Sequence, residues 1–198
     1  MIKSLVALLV MLNPFALFIY LNPVMEDLRH KDFLRVLWKA SLISLGAFLV
    51  FLYAGDFIIE EIFQISFESF KIFGGVVIFS FAYMFIVKGQ KALIAMKGSL
   101  DDVASEIALP FMVGAGTLSI VIFMAHKLSL YQATIGLPLV LIANALIIIF
   151  LKYIKDGLEK RRMKVAFDKN MEILLRINGF FIGAIGVDMI IEGVRGLF

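Results

Sequence analysis

The stretch from Ser4 to Leu21 reads SLVALLVMLNPFALFIYL, and it contains no charged side chain. An apolar helix of about 20 residues crosses the hydrocarbon core of a bilayer, so this stretch predicts a transmembrane span. It ends in Leu21-Asn22-Pro23 rather than in the small residues that precede a signal-peptide cleavage site. We therefore expect this span to be retained in the mature protein.

Five further apolar runs follow, at residues 40–55, 72–87, 107–125, 128–151 and 177–191. Of the 198 residues, 62% are hydrophobic and 18% are charged, and the mean hydropathy is +0.98. A soluble domain is typically about 45–50% apolar and 25% charged, so this chain is more apolar and less charged than a soluble domain. We predict an all-α integral membrane protein that forms one membrane domain over 1–198, with six transmembrane helices numbered as spans one to six.

Basic residues are distributed unevenly between the two sides of the predicted bundle. The connections after spans one, three and five carry fourteen of them: Arg29, Lys31, Arg35, Lys39, Lys88, Lys91, Lys97, Lys152, Lys155, Lys160, Arg161, Arg162, Lys164 and Lys169. The opposite side carries three, which are Lys3, Lys127 and Arg195. Cytoplasmic loops are enriched in Lys and Arg, so we expect a multi-pass protein of the cytoplasmic (plasma) membrane with both termini outside.

The run of basic residues at 160–164 raises the question of nucleic-acid binding. A cytoplasmic loop that touches anionic lipid explains the same run, so we expect the bilayer as partner and no nucleic acid. Cysteine is absent, which excludes disulfides and Cys-based metal sites. We expect no metal site and no cofactor.

The two halves of the chain show a weak internal repeat. A shift of 105 residues places Lys71-Ile72-Phe73-Gly74 on Arg176-Ile177-Asn178-Gly179, and 84–86 on 189–191. Three spans per half is an odd number, so the second copy must enter the membrane from the opposite face. We predict two inverted three-helix repeats, about 1–97 and about 98–198.

Spans one and four should correspond in this arrangement, and both contain residues that interrupt a helix. The interruption is Asn13-Pro14 in span one and Gly114-Ala115-Gly116 in span four, with Pro110 upstream. Asn13 lies about 15 Å below Lys3, and Gly116 about 15 Å from Glu106, so both fall near the bilayer midplane. We predict that both spans are broken at this depth.

A helix that restarts inside the membrane presents free N–H groups and a positive dipole end, which bind anions. Pro14 is favoured at the first position of such a helix, and Asn13 would cap it. The freed N–H groups would be those around Phe15 and Ala16 and those from Thr117 to Ser119. The alternative is that both breaks only kink helices for packing. The substrate-binding residues predicted at the breaks are Asn13, Pro14, Phe15, Ala16, Gly114, Ala115, Gly116, Thr117 and Ser119.

At these residues the sequence resembles the MarC family, also described as small neutral amino acid transporters. The family shows Asp/Asn-Pro-x-Gly in its first span and Gly-Pro-Gly followed by Thr or Ser in its fourth. Here these motifs read Asn13-Pro14-Phe15-Ala16 and Gly114-Ala115-Gly116-Thr117. The family motifs of the third and last spans correspond to Phe70-Lys71-Ile72-Phe73-Gly74-Gly75 and Arg176-Ile177-Asn178-Gly179, so the match covers nearly the whole chain.

Several positions depart from the family pattern, so this is a divergent member. Ala16 replaces the usual Gly, Ile19 a second Pro, Ala115 the Pro of the fourth span, and Asp188 a usual amide. The resemblance implies secondary transport of small neutral amino acids such as glycine, alanine and serine, coupled to a cation gradient. The resemblance leaves open whether the coupling ion is H⁺ or Na⁺.

Three further polar residues within the apolar spans are functional candidates, and each has two interpretations. Asp188 lies about 18 Å along the helix from Arg176, where a carboxyl must be paired, neutral or in contact with water. It is the coupling residue we predict, or else a structural partner of Lys71, of Tyr83 or of an amide on another helix. Asn144 and Asn178 are further candidates for substrate binding, although buried Asn side chains more often join helices.

An intramembrane enzyme is the competing class, and it would need a base, a metal or a nucleophile pair within the spans. Both histidines, His30 and His126, fall in predicted loops, so Ser119 has no evident His partner and we expect no enzyme. A six-helix exporter of another small solute, and a membrane scaffold without transport, stay open. Association into a homo-oligomer is also left open.

Overall fold

The computed structural model describes residues 1–27, 29–89, 112–158 and 160–197. Within these ranges the chain is helical and contains no strand. The helices, numbered here in chain order, are α1 Ile2–Leu12, α2 Pro14–Asp27, α3 His30–Asp56, α4 Phe67–Lys88, α5 Ala115–Lys127, α6 Leu130–Asp156 and α7 Arg161–Leu197. A π-helical turn, Phe57–Ile62, continues α3.

Five segments of the described chain are long and apolar enough to cross a membrane: Ile2–Leu21, His30–Ile62, Phe67–Lys88, Leu130–Asp156 and Arg162–Leu197. The predicted span four appears as a shorter apolar helix, Gly116–Lys127. Its first part, residues 107–111 with Pro110, lies outside the described residues. The prediction of an all-helical membrane protein is therefore confirmed, with five full spans and one shorter apolar helix described.

Helices α3 and α7 extend well beyond the apolar runs that predicted them. The runs began at residues 40 and 177, whereas α3 begins at His30 and α7 at Arg161. Residues 31–39 and 161–169, which were expected to lie in the connections between spans, are helical instead. These segments are rich in Lys and Arg, which propagate a helix readily once a packed span has nucleated it.

Ion pairs stabilise the ends of these long helices. Lys155 Nζ lies 3.1 Å from Asp168 Oδ1 and joins α6 to α7. Within α7, Arg176 Nη2 lies 2.9 Å from Glu172 Oε1, one helical turn away. Arg176 also donates through Nη1 to the carbonyl oxygen of Ile86, 2.6 Å away on α4. Basic side chains of the predicted cytoplasmic side thus attach α7 to its neighbours.

Helices α4 and α7 form the most extensive helix pair, and they run antiparallel. A Cβ built at Gly75 would lie 2.5 Å from the carbonyl oxygen of Gly186, and one at Gly179 would lie 3.3 Å from the carbonyl oxygen of Ala82. In membranes, small residues let helix backbones approach closely and gain packing contacts. Gly75 and Gly179 therefore permit the close contact between α4 and α7.

The broken helix α1–α2 lies at the centre of the bundle. Leu8, Leu12, Leu17, Phe18 and Leu21 on it are 0 or 1% exposed. Large apolar side chains on α4, α6 and α7 are exposed instead and form a lipid-facing surface, as for Phe73, Phe79, Leu146, Phe150 and Phe180. The helix that carries the first break is therefore surrounded by protein, where freed backbone groups can be satisfied.

Candidate functional site

The break in span one is formed by the backbone of Asn13. Asn13 adopts a left-handed conformation with φ 48° and ψ 73°, which Asn tolerates better than most residues. Its N–H ends α1 by donating to the carbonyl oxygens of Leu9 and Val10, both 3.2 Å away. Helix α2 begins at Pro14, where the missing N–H costs no helical hydrogen bond.

The side chain of Asn13 caps the new helix and leaves one group unused. Asn13 Oδ1 accepts a hydrogen bond from the Ala16 N–H at 3.1 Å. Because that N–H needs an acceptor, the amide orientation is fixed, with Nδ2 on the other side. Asn13 is 3% exposed, and its Nδ2 has no hydrogen-bond partner among the described residues. An unsatisfied buried donor costs about 1–3 kcal/mol, which a ligand oxygen would recover.

The break in span four lies just before α5. Gly114 is extended, with φ −130° and ψ 173°, and α5 begins at Ala115. The N–H of Leu118 already donates to the carbonyl oxygen of Gly114 at 3.0 Å. The open N–H groups of the first turn are therefore those of residues 115–117. The sequence placed them at Thr117 to Ser119, about two residues too far along the helix, because the glycines alone do not reveal where the helix restarts.

The hydroxyl of Thr117 holds this second break in shape. Thr117 Oγ1 accepts from the Gly114 N–H at 3.0 Å and lies 2.9 Å from the carbonyl oxygen of Met112, to which it can donate. The side chain is buried, with 3% exposure. The single hydroxyl hydrogen is used within the break, so the backbone N–H is the donor that Thr117 has left.

The two breaks meet at a cavity of about 80 Å³, called here the break cavity. Asn13 and Ala16 line it from the start of α2, and Gly114, Gly116 and Thr117 line it from the start of α5. Both helices thus present their positive dipole ends to one small space. The remaining wall is apolar and comes from Met11, Leu12, Leu17, Val77, Ile78, Phe81, Phe85 and Ile182.

A second cavity of about 710 Å³, called here the large cavity, lies between α1, α4, α5 and α7. Its charged lining residues are Lys3, Lys71, Lys127, Asp188 and Glu192. Lys127 Nζ lies 4.0 Å from Glu192 Oε1, whereas Asp188 is exposed and forms no ion pair with a described residue. Asp188 therefore borders open space rather than packed protein, and it does not line the break cavity.

The other predicted site residues are distributed around the two cavities. Ser119 lines the large cavity, and Asn178 lines neither cavity but donates through Nδ2 to the carbonyl oxygen of Val10 at 3.2 Å. Asn144 is fully buried, lines neither cavity, and has no described partner for its amide. Pro14 and Phe15 line neither cavity, and only the backbone of Ala115 is described.

Sequence reasoning missed the apolar wall that α4 contributes to the break cavity. Val77, Ile78, Phe81 and Phe85 lie on one face of α4, at helical spacing. A contrast in polarity between this face of α4 and its other faces would have identified them. Since α4 is apolar on all sides, that pattern does not separate the cavity-lining face from the lipid-facing one.

The fold and the paired breaks define an integral membrane protein with a small central cavity between interrupted helices. The model of the MarC family, described as MarC family integral membrane protein, matches residues 1–198. The chain belongs to the MarC family. No solved structure gives a significant match.

Relatives of similar length occur in archaea and bacteria. A UPF0056 membrane protein of Pyrococcus horikoshii is 24% identical over 99% of this chain and 94% of its own length. One from Methanocaldococcus jannaschii is 26% identical over 93% of this chain and 91% of its own. One from Aquifex aeolicus is 22% identical over 99% and 92%. The similarity therefore extends over the whole fold.

Proposed function

We propose that this protein is a secondary transporter of small neutral amino acids, with its substrate site at the break cavity. The observation that carries the proposal is the meeting of two helix starts at one cavity, beside the unpartnered Nδ2 of Asn13. Interrupted helices that meet near the membrane centre are typical of transporter binding sites. A packing kink would not require a cavity or an unused buried donor.

The carboxylate of the substrate would be bound by the open N–H groups at the start of α5. The start of α2 would contribute only its dipole, because Pro14 has no N–H and the N–H of Ala16 already donates to Asn13. Each helix start carries about half an elementary charge, so two together offset one carboxylate. The Nδ2 of Asn13 would donate a further hydrogen bond. No Lys or Arg lines this cavity within the described chain. A neutral zwitterion suits such a site, because its net charge is zero and no charged side chain is needed to neutralise it.

The ammonium of the substrate would be bound by backbone carbonyl groups freed at the end of α1. Met11 and Leu12 both line the break cavity. The side chain of Asn13 was a further candidate, but its oxygen already accepts from Ala16. We therefore assign Asn13 to the carboxylate end of the substrate.

The size of the break cavity favours the smallest amino acids. A volume of about 80 Å³ accommodates a few water molecules, since one water needs about 10–15 Å³ by the same measure. The apolar side chains of Ile78, Phe81 and Phe85 close the α4 side. Glycine, alanine and serine are accordingly the proposed substrates, and longer side chains would meet this wall.

An inverted repeat would explain why two breaks of opposite direction meet. The antiparallel packing of α4 against α7, the two helices related by the sequence shift, supports this arrangement. In such a protein one half moves against the other around a fixed site. We propose that the halves 1–97 and 98–198 are these moving units.

Coupling to H⁺ or Na⁺ and the orientation in the plasma membrane belong to the same proposal. Asp188 lines a cavity large enough for water, so a cation can reach its carboxylate without crossing packed protein. The basic ends of α3, α6 and α7 would be cytoplasmic, which leaves both termini outside. The large cavity then opens to the exterior.

Flux through purified protein in liposomes tests the proposal. We expect uptake of labelled glycine, alanine and serine, and little uptake of labelled phenylalanine, which exceeds the cavity. Empty liposomes are the control. Transport of another solute class without amino-acid flux would support the exporter alternative, and absence of any flux would support a scaffold.

A further inference from the structure

The large cavity and the break cavity are separated by a single helical turn on three different helices. On α1, Ala7 lines the large cavity and Met11 the break cavity; on α7 the corresponding residues are Ile185 and Ile182. On α5, Ser119 lines the large cavity and Gly116 the break cavity. Residues three or four apart on one helix lie about 4.5–6 Å apart along its axis. The two cavities are therefore stacked end to end.

Two side chains that line the break cavity, those of Met11 and Ile78, meet beside Gly116, which lies one helical turn from Ser119 of the large cavity. A Cβ built at Gly116 would contact Met11 Cε at 2.6 Å and Ile78 Cδ1 at 2.7 Å. These side chains fill the space that a larger residue would occupy. Met in particular has three rotatable bonds and changes rotamer readily. Because Gly116 has no side chain, Met11 and Ile78 can occupy the space beside it and meet there.

The large cavity has the chemistry to receive a zwitterion. Lys71 and Asp188 line it with opposite charges. Lys71 Nζ lies over the ring of Phe67, 4.7 Å from its centroid, and not in an ion pair with a described carboxylate. Both charged groups therefore face the cavity without neutralising each other, and each is available to one end of a passing amino acid.

We propose that the large cavity is the entrance of the substrate path, and that Met11 and Ile78 form the gate between it and the break cavity. This inference rests on the proposed function, because it takes the break cavity as the substrate site. A small zwitterion enters between Lys71 and Asp188, and rotation of the Met11 and Ile78 side chains admits it to the helix starts. No helix has to unfold for this step.

Thiol labelling tests the gate, because the chain contains no cysteine and each single substitution introduces one thiol. Ile185→Cys places it in the large cavity and Ile182→Cys places it behind the gate, one turn away on the same helix. A membrane-impermeant thiol reagent is added to each side of sealed vesicles in turn. We expect Ile185→Cys to react from one side, and Ile182→Cys to react at least about tenfold more slowly from that side.

Opening the gate should remove this difference. With Met11→Ala added, Ile182→Cys should react about tenfold faster from the side that labels Ile185→Cys, while the rate at Ile185→Cys stays the same. Ile78→Val, a milder change, should act in the same direction. Met163→Ala is the matched control, since Met163 is 48% exposed and lies on the polar extension of α7.

Three results would overturn the gate: no labelling of Ile185→Cys from either side, equal rates at both positions, or no effect of Met11→Ala and Ile78→Val. Glycine binding to the parent protein, followed by calorimetry, separates these failures from a failure of the proposed function. If glycine binds and the labelling pattern fails, only the path is wrong. If glycine does not bind, the site itself is wrong.

Discussion

Asn13 combines three roles that are separable by substitution. Its backbone ends α1, its Oδ1 caps α2 at Ala16, and its buried Nδ2 has no described partner beside the break cavity. The sequence predicted the break and the cap, because Asn before Pro is a recognised start of a helix. It did not predict the free donor, since which end of the amide is left unpaired depends on the position of the Ala16 N–H.

Asn13→Asp should keep the cap and lose the donor. A carboxylate oxygen can accept from Ala16 as the amide oxygen does, and the positive ends of α2 and α5 offset part of the cost of burying its charge, so thermal stability should fall less than in Asn13→Ala. The new negative charge would repel the substrate carboxylate, and affinity for glycine should fall at least about tenfold. Calorimetry and thermal unfolding measure both. Asn13→Ala, the comparison, should also lose about 1 kcal/mol of stability with the cap. Parent-like affinity in Asn13→Asp would show that Nδ2 does not contact substrate.

Asp188 has one of the three environments that its position in the sequence allowed, which is contact with open space. It is exposed to the large cavity, so it does not need a structural partner. Asp188→Asn should remove the response of glycine flux to an imposed proton or sodium gradient in liposomes. Glu192→Gln is the control, because Glu192 lines the same cavity and lies near Lys127. A gradient response that persists in Asp188→Asn and disappears in Glu192→Gln would assign coupling to Glu192.

At the level of helices, sequence and structure agree on where spans exist and differ on where they end. Spans follow from the length of an apolar run, which is a local property. Helix ends depend on whether a polar segment finds partners, as Lys155 and Asp168 do between α6 and α7. The start of α5 was misplaced for the same reason, since it depends on local partners. Thr117 determines that start through its hydrogen bonds to Met112 and Gly114.

The α4–α7 pair provides a test of the close helix contact. At Gly75 even one methyl group would meet the carbonyl oxygen of Gly186, a backbone atom that cannot rotate away. Gly75→Ala should force the helices apart and cost about 1–3 kcal/mol, the range for overpacking. Thermal unfolding in detergent measures the loss. Gly46→Ala on α3, where a Cβ meets nothing within 4 Å, should leave stability unchanged or slightly raised. Equal unfolding temperatures for the two variants would contradict the packing account.

For the whole molecule, the distribution of basic residues predicts the orientation. Reporter domains fused after Lys164 should be cytoplasmic, and reporters fused after Leu197 should be external, because one span separates these positions. Enzymatic reporters active on only one side of the membrane distinguish the two. A cytoplasmic reporter after Leu197 would contradict both the orientation and the inverted arrangement of the halves.

The central claim is that the two helix breaks form one binding site for a small zwitterion. Calorimetry of glycine against detergent-purified protein, in the parent, Gly116→Val and Gly46→Val, tests it most directly. At Gly116 the branched side chain would displace Met11 and Ile78 and enter the break cavity, whereas at Gly46 it would lie in open space. The account predicts that glycine binds the parent and Gly46→Val with similar affinity and that binding to Gly116→Val is lost. Unchanged affinity in Gly116→Val would contradict it and leave the break before α5 as a packing kink.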